Sequence, residues 1–229
     1  MRNSRRASKP ISQTIVNRAG AAGAPASPAG GSTLAGAVRE LRRGGVVVFP
    51  TDTVTGIGCR AGDYRGVRRI FSLKGRDWGK PLILFVDSMA QAERYTGRLA
   101  PRVRGLLRKL WPGAFTAILR LRKRVPKGVG TRGTVGVRMP DHRVPRGLVR
   151  ALGCALATTS ANLTGRKTEA DAVAAARRMG SGVSVLQGRS GETPSTVADL
   201  TRWPPVILRQ GAVSKGRLSR LVSRASHRA

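Results

Sequence analysis

Acidic residues are scarce in this chain: 11 Asp and Glu stand against 43 Lys and Arg in 229 residues, and none precedes Glu40. A formal charge of +32 attracts polyanions, with an affinity that should fall steeply with salt, but it names no reaction. Much of the excess is arginine, which also fits a GC-rich genome. There are two cysteines, Cys59 and Cys154, and two histidines, His142 and His227. Without a CxxC or Cys/His pattern, they argue for free thiols in a reducing compartment and against a protein-bound metal. Aromatic residues make up 4% of the chain, which leaves little for stacking bases. No apolar run approaches the ~18–20 residues that span a membrane. A GxxxxGK[ST] loop, a GxSxG elbow and a paired-carboxylate arrangement for glycoside hydrolysis are all missing.

What is there is a globular chain, 40% hydrophobic, long enough for one substantial core. Residues 1–33 are Arg, Ser, Ala, Gly and Pro and read as a flexible basic tail, with an organelle transit peptide as the alternative. The segment 214–229 is again acid-free and basic, and reads as a short helix or tail. Between them, helices are expected at Leu34–Arg43, Tyr64–Leu73, Met89–Thr96, Pro101–Leu110, Arg146–Leu152 and Thr168–Met179, the last opened by Thr168 with Asp171 three residues on. Strands are expected at Val46–Pro50, Pro81–Val86, Phe115–Leu121, Thr134–Arg138, Ala155–Thr159, Val183–Leu186, Thr196–Asp199 and Val206–Leu208. Helices and strands do not alternate cleanly. One α/β domain with an irregular sheet therefore fits better than a regular βαβ array.

Several short stretches bear chemistry. FPTDTVTGIG (49–58) sets Thr51, Asp52, Thr53 and Thr55 at the end of a buried strand, a usual place for ligands, although a plain connection is equally compatible. FSLKGRDWGKPL (71–82) crowds Lys74, Arg76 and Lys80 around two glycines; shared anion binding and incidental surface charge both remain open. TVGVRMP (134–140) ends a strand in Arg138. TTSANLTG (158–165) follows an apolar strand with hydroxyls and an amide, and hydrogen bonding by Ser160 and Asn162 is more economical than nucleophilic attack. STVADL (195–200) and ILRQGAV (207–213) repeat the theme of strand, hydroxyl and arginine.

Taken in order with WPGAFTAIL (111–119), these strings resemble the YrdC-like threonylcarbamoyl-AMP synthase family over residues 34–213. The resemblance implies a twisted mixed α/β sheet with helices around a concave, positively charged cavity, in the short single-domain form. It implies conversion of L-threonine, bicarbonate or CO2 and ATP, with Mg2+, into threonylcarbamoyl-AMP and pyrophosphate. A partner transferase then modifies the adenosine beside the tRNA anticodon, so weak tRNA binding and a cytoplasmic location are implied, or a mitochondrial one if the tail is a transit peptide. The family signature KxR…SxN falls on Lys74, Arg76, Ser160 and Asn162, the implied catalytic set. ATP contacts would be Arg76, Lys80, Thr134, Ser160, Thr168 and Arg209. Threonine contacts would be Thr53, Arg138, Thr158 and Ser195. Two positions depart from the family pattern on the threonine side: Thr55, where a tyrosine is usual, and Phe85, where some members carry histidine. Two other readings stay open: an RNA-binding protein without catalysis, and a carbamoyl-adenylate-forming domain with another acceptor, of the hydrogenase-maturation or natural-product type.

Overall fold

The computed structural model describes residues 32–226 apart from 132 and 181; the N-terminal tail expected over 1–33 lies outside them except for its last two residues, and so does His227. The chain opens with α1 (Leu34–Arg42), whose amide of Gly36 is capped by the Thr33 hydroxyl at 3.1 Å. Strands β1 (Val47–Phe49) and β2 (Gly56–Arg60) lead to α2 (Tyr64–Lys74). Asp63 caps that helix at its start and Gly75, in the left-handed region at φ 55°, ends it. There follow β3 (Ile83–Phe85), α3 (Met89–Thr96), α4 (Pro101–Leu110), β4 (Phe115–Arg120), β5 (Thr134–Arg138), α5 (Arg143–Leu152) and β6 (Leu156–Ser160). The chain closes with α6 (Ala172–Met179), β7 (Ser184–Val185), β8 (Thr196–Asp199), β9 (Val206–Arg209) and α7 (Lys215–Ser226). Among the described residues, no helix is long and apolar enough to cross a membrane.

The strands form one mixed sheet in the order β7-β1-β2-β6-β3-β5-β4-β8-β9, parallel at β1–β7, β3–β5 and β4–β8 and antiparallel elsewhere. Alternation along each strand divides the core into two layers. Val47 and Phe49 of β1, Phe85 of β3 and Leu156 of β6 pack with Ala37, Val38 and Leu41 of α1 and with Leu148 and Val149 of α5. On the opposite face Val46, Val48, Ile57 and Leu84 join a larger cluster with α2, α3, α4 and α6. The C-terminal segment is helical: α7 packs on α4 and buries Leu218 in that same cluster.

Three boundaries differ from the sequence reading, each for a local reason. Helix α5 starts three residues early because His142 caps it, its Nδ1 accepting from the Val144 amide at 3.2 Å, while Pro145 falls in the first turn where no amide hydrogen is required. Helix α6 starts four residues late because Asp171, not Thr168, takes the capping role and accepts from the Ala174 amide at 2.8 Å. Strand β2 stands where a turn was expected, since its glycines hide its strand character. Those glycines are required by the Phe49 ring of the neighbouring strand, which lies across them. A Cβ on Gly56 would sit 2.8 Å from Phe49 Cε2, and one on Gly58 would sit 3.1 Å from Cε1.

Gly56→Ala should therefore cost about 1–3 kcal/mol in urea unfolding, the usual range for overpacking. Gly62→Ala, where a Cβ meets nothing within 4 Å, should cost far less. Equal costs at the two positions would contradict the Phe49 account.

Candidate active site

The sheet face that carries Phe49 and Leu156 is covered by α1 and α5 only in part. Past Phe85 it continues into a cavity of about 730 Å³. Register decides what the floor presents. Phe85 is paired with Leu156 of β6 and with Arg138 of β5, so Thr158, Ser160 and Arg138 share its face. The same side is taken by Gly56, Ile83, Thr116, Val197 and Arg209. Arg209 reaches it through an irregularity in β9: Val197 pairs with Arg209 and Ala198 with Ile207, which leaves Leu208 as an extra residue. That bulge lets Ile207 pack into the core while Arg209 turns into the cavity.

One wall is organised by a buried cation. Lys74, the last residue of α2, is 3% exposed. Its Nζ donates to the Ser160 carbonyl at 2.6 Å, to the Asn162 side-chain oxygen at 3.0 Å and to the Asn162 carbonyl. Its three donors are thus matched by three oxygens. The turn after β6 grips back: the Thr164 amide and hydroxyl both donate to the Lys74 carbonyl, at 3.2 and 3.1 Å. Within the turn the Ser160 hydroxyl donates to Asn162 Oδ1 at 2.6 Å, and Asn162 Nδ2 donates to the Arg166 carbonyl. Burial, with Arg76 nearby, pushes the Lys74 ammonium down to about 8.

Beyond the Gly75 cap the chain delivers Arg76 to the cavity rim. Its Nε donates to the Lys80 carbonyl at 2.6 Å and its Nη2 to the Pro81 carbonyl at 3.2 Å, so the guanidinium is held by its own loop. Trp78 stacks on Phe71 of α2, ring centroids 4.1 Å apart, and fixes the loop to the helix. On the floor Arg138 is 3% exposed and forms an ion pair with Asp52 at 2.6 Å. It also donates to the Thr53 hydroxyl at 2.6 Å and the Gly113 carbonyl at 2.9 Å. Its Nε and Nη1 thus donate to protein oxygens, while Nη2 is enclosed beside the Asp52 carboxylate. Burial lowers its pKa and Asp52 opposes that shift. Arg209 donates to the Ser195 carbonyl at 2.8 Å and hydroxyl at 3.2 Å, and the Ser195 hydroxyl lies 2.9 Å from that of Thr116.

The cavity therefore brings together nine of the residues singled out in the sequence: Thr53, Arg76, Arg138, Thr158, Ser160, Asn162, Thr168, Ser195 and Arg209. Lys74 stands behind the wall, Lys80 is exposed outside it, and Thr134 lies further along β5 beside Thr131. Of the two departures from the family pattern, Phe85 lines the cavity, with the Arg138 guanidinium 5.5 Å from its ring centre. Thr55 does not: it is wholly buried, and its hydroxyl meets the Glu169 carbonyl at 2.7 Å and the Ser190 hydroxyl at 3.0 Å. It secures a wall without touching the cavity.

Thr116, Arg166, Lys167 and Arg189 also line the cavity and were not singled out. Thr116 becomes visible only once β4 is known to pair with β5, while the three cations are lost in the chain's general basicity. Acidic lining is limited to Glu169, Asp171 and Glu192, and Asp171 is occupied as a helix cap. No group of three His, Cys, Asp or Glu able to hold a metal occurs among the described residues. The described lining residues thus suit anion binding.

A family model named Sua5_yciO_yrdC, described as "Telomere recombination", matches residues 39–211. A protein of Thiobacillus denitrificans named threonylcarbamoyl-AMP synthase is 42% identical over 164 residues, covering 70% of this chain and 87% of its own. The crystal structure of P. abyssi Sua5 complexed with L-threonine superposes with TM-score 0.75 at 33% identity, covering 81% of this chain and 56% of that one. The crystal structure of E. coli YciO superposes with TM-score 0.73 at 30% identity over 81% of this chain and 92% of its own. The chain thus spans nearly the whole of some relatives and about half of the Pyrococcus protein.

The depressed pKa of Lys74 has a signed consequence. Its folded value, about 8, lies below its ordinary 10.5, so between these limits the unfolded chain holds the extra proton. Stability contributed at this site then rises as pH increases through that window. The stability gap between the native protein and Lys74→Met should widen from pH 7.5 to pH 10 in urea unfolding. A gap that narrows would contradict the assigned burial of the charged form.

Proposed function

Because the chain belongs to the Sua5_yciO_yrdC family, we propose that its cavity makes threonylcarbamoyl-AMP and pyrophosphate from L-threonine, bicarbonate or CO2, and ATP. The observation that carries this reading is the geometry of the floor, where Arg138 and Arg209 stand on one sheet face with Arg76 at the rim, each anchored by protein oxygens. Residues 34–213 would form the catalytic unit.

In this reading the neutral threonine amine bonds to the carbon of CO2 with release of a proton, or to that of bicarbonate with loss of water, and gives a carbamate. A carbamate oxygen then attacks the α-phosphorus of ATP, the bond to the β-phosphate oxygen breaks, and pyrophosphate leaves with the electron pair. No enzyme nucleophile takes part. Arg138, a cation with its plane fixed by protein oxygens, suits the threonine carboxylate as a charge partner. Thr53, Thr158 and Ser195 would surround the amino acid, with Ser195 held between Thr116 and Arg209. Arg76, Arg209, Ser160 and Thr168 would hold the triphosphate, with Lys80 reaching it from the exposed loop and Thr134 at the outer end of β5. Fixed cations aimed at the developing charge and at the leaving pyrophosphate supply the acceleration, together with alignment of carbamate and phosphorus. Mg2+ would enter with ATP as part of the substrate, and its charge assists the leaving group.

Asn162 and Lys74 act differently from a contact set. Lys74 fixes the turn that presents Ser160, so its effect on the reaction passes through that turn. The product is a reactive mixed anhydride, and we place its consumer among transferases that modify adenosine next to a tRNA anticodon, in the cytoplasm.

Pyrophosphate release by the purified protein should require threonine, bicarbonate and ATP together. Arg138→Ala should raise the KM for threonine about 10- to 100-fold, the loss of ~1.5–3 kcal/mol expected for a charged hydrogen-bonded contact, with less change for ATP. Arg209→Ala should do the reverse. Release of pyrophosphate without threonine, or a swap of the two KM effects, would overturn the assignment.

A further inference from the structure

In the proposed reaction the substrate's amino group has no assigned partner, and one carboxylate of the cavity has no assigned role. Of the three acidic residues in the lining, Asp171 caps α6, and Glu169 forms an ion pair with Arg178 at 2.9 Å. Glu192 takes part in none of the ion pairs among the described residues, although Arg166, Lys167 and Arg189 line the same space. Its position is set by the backbone before it. The Thr51 amide donates to the Ser190 hydroxyl at 3.0 Å and the Gly191 amide to the Thr51 carbonyl at 3.4 Å. Residue 191 lies so close to the turn after β1 that a Cβ there would meet the Thr53 carbonyl at 2.9 Å and the Asp52 carbonyl at 3.0 Å. Three residues past Glu192, Ser195 lines the cavity and holds Arg209. The segment thus runs from the Thr53 and Arg138 pair to Ser195, with Glu192 between them at the exposed lip.

We propose that Glu192 is the counter-ion of the substrate's α-ammonium, so that the cavity grips a zwitterion by both charges, the carboxylate on Arg138 and the ammonium on Glu192. This deepens the threonine reading given above and rests on it. Two charges attached to one carbon need partners that are neighbours in the fold, and the contact of residue 191 with the Asp52 and Thr53 backbone supplies that closeness to Arg138. An ammonium entering a cavity lined by arginines is repelled unless a carboxylate offsets them, and Glu192 is the lining carboxylate left without a helix to cap or a cation to neutralise. The same charge orders events. A carbamate formed in solution would bring a second negative charge to Glu192, whereas the free amino acid brings a positive one. The amino acid is therefore captured first. Its ammonium yields a proton to solvent at the open lip, and the neutral nitrogen is carboxylated in the cavity.

The test is calorimetric titration of the full chain with L-threonine and with its α-hydroxy analogue, 2,3-dihydroxybutanoate, which keeps the carboxylate and the β-hydroxyl and lacks the ammonium. The native protein should prefer threonine. Glu192→Gln should weaken threonine binding about fivefold, the upper end for a solvent-exposed ion pair, while binding of the analogue holds or tightens. Glu192→Asp should recover part of the preference. Glu169→Gln, which removes a lining carboxylate already paired with Arg178, should leave the preference in place. ATP affinity should be kept in Glu192→Gln, because a displaced segment would carry Ser195 and with it Arg209 out of place. An unchanged preference in Glu192→Gln would overturn the role of Glu192 and leave the threonine reading standing. Equal effects in the Glu169 and Glu192 variants would show a diffuse field and overturn it too, as would equal loss of threonine and analogue. A native protein that binds neither compound would overturn the threonine reading together with this proposal.

Discussion

A single buried ammonium ties together the two segments from which one wall of the cavity is made. Lys74 ends α2, and its charge is spent on oxygens of residues 160 and 162, which begin a turn more than eighty residues away. The Thr164 contacts to the Lys74 carbonyl close the link from the other side. Whatever fixes Lys74 therefore also fixes the start of the Arg76 loop, because Gly75 is the only residue between them. Burying a cation against neutral oxygens is energetically unfavourable compared with leaving it in water, which is why its proton is held less tightly than usual. The return is a rigid junction between a helix end and a strand end, the two places that supply Arg76 and Ser160.

The cavity cations follow a related rule. Arg76 is oriented by two carbonyls and Arg209 by a carbonyl and a hydroxyl, none of which cancels charge. Arg138 alone among these three has a carboxylate, Asp52, and it is also the most deeply buried. A deep guanidinium without a counter-ion would be expensive to desolvate, whereas those nearer the rim keep some hydration. The result is a site whose geometry is set by protein oxygens while much of its positive charge stays available to an anionic ligand. Such preorganisation gives anion recognition without rearrangement when the ligand arrives.

Much of this was legible in the sequence, for reasons that can be named. The ordered motifs pointed to the family and to the mixed α/β fold, and they picked out nine residues that the fold gathers around one cavity. Less legible was direction. Lys74, Arg76 and Lys80 look alike as a string, yet a helix end turns the first inward, a loop holds the second at the rim, and the third faces solvent. Strand β2 was missed because its glycines answer to the Phe49 ring of another strand, a long-range constraint with no local signature. Thr116 and the bulge that turns Arg209 inward depend on pairing between strands, which single-strand alternation does not encode.

The measurement that tests the central claim most directly is mass spectrometry of the small-molecule products formed by the purified protein from ATP, Mg2+, L-threonine and 13C-bicarbonate. The account predicts an AMP adduct heavier than AMP by a threonylcarbamoyl group, carrying one 13C, in step with pyrophosphate. An AMP adduct without the label, or with the label but no threonine, would contradict it.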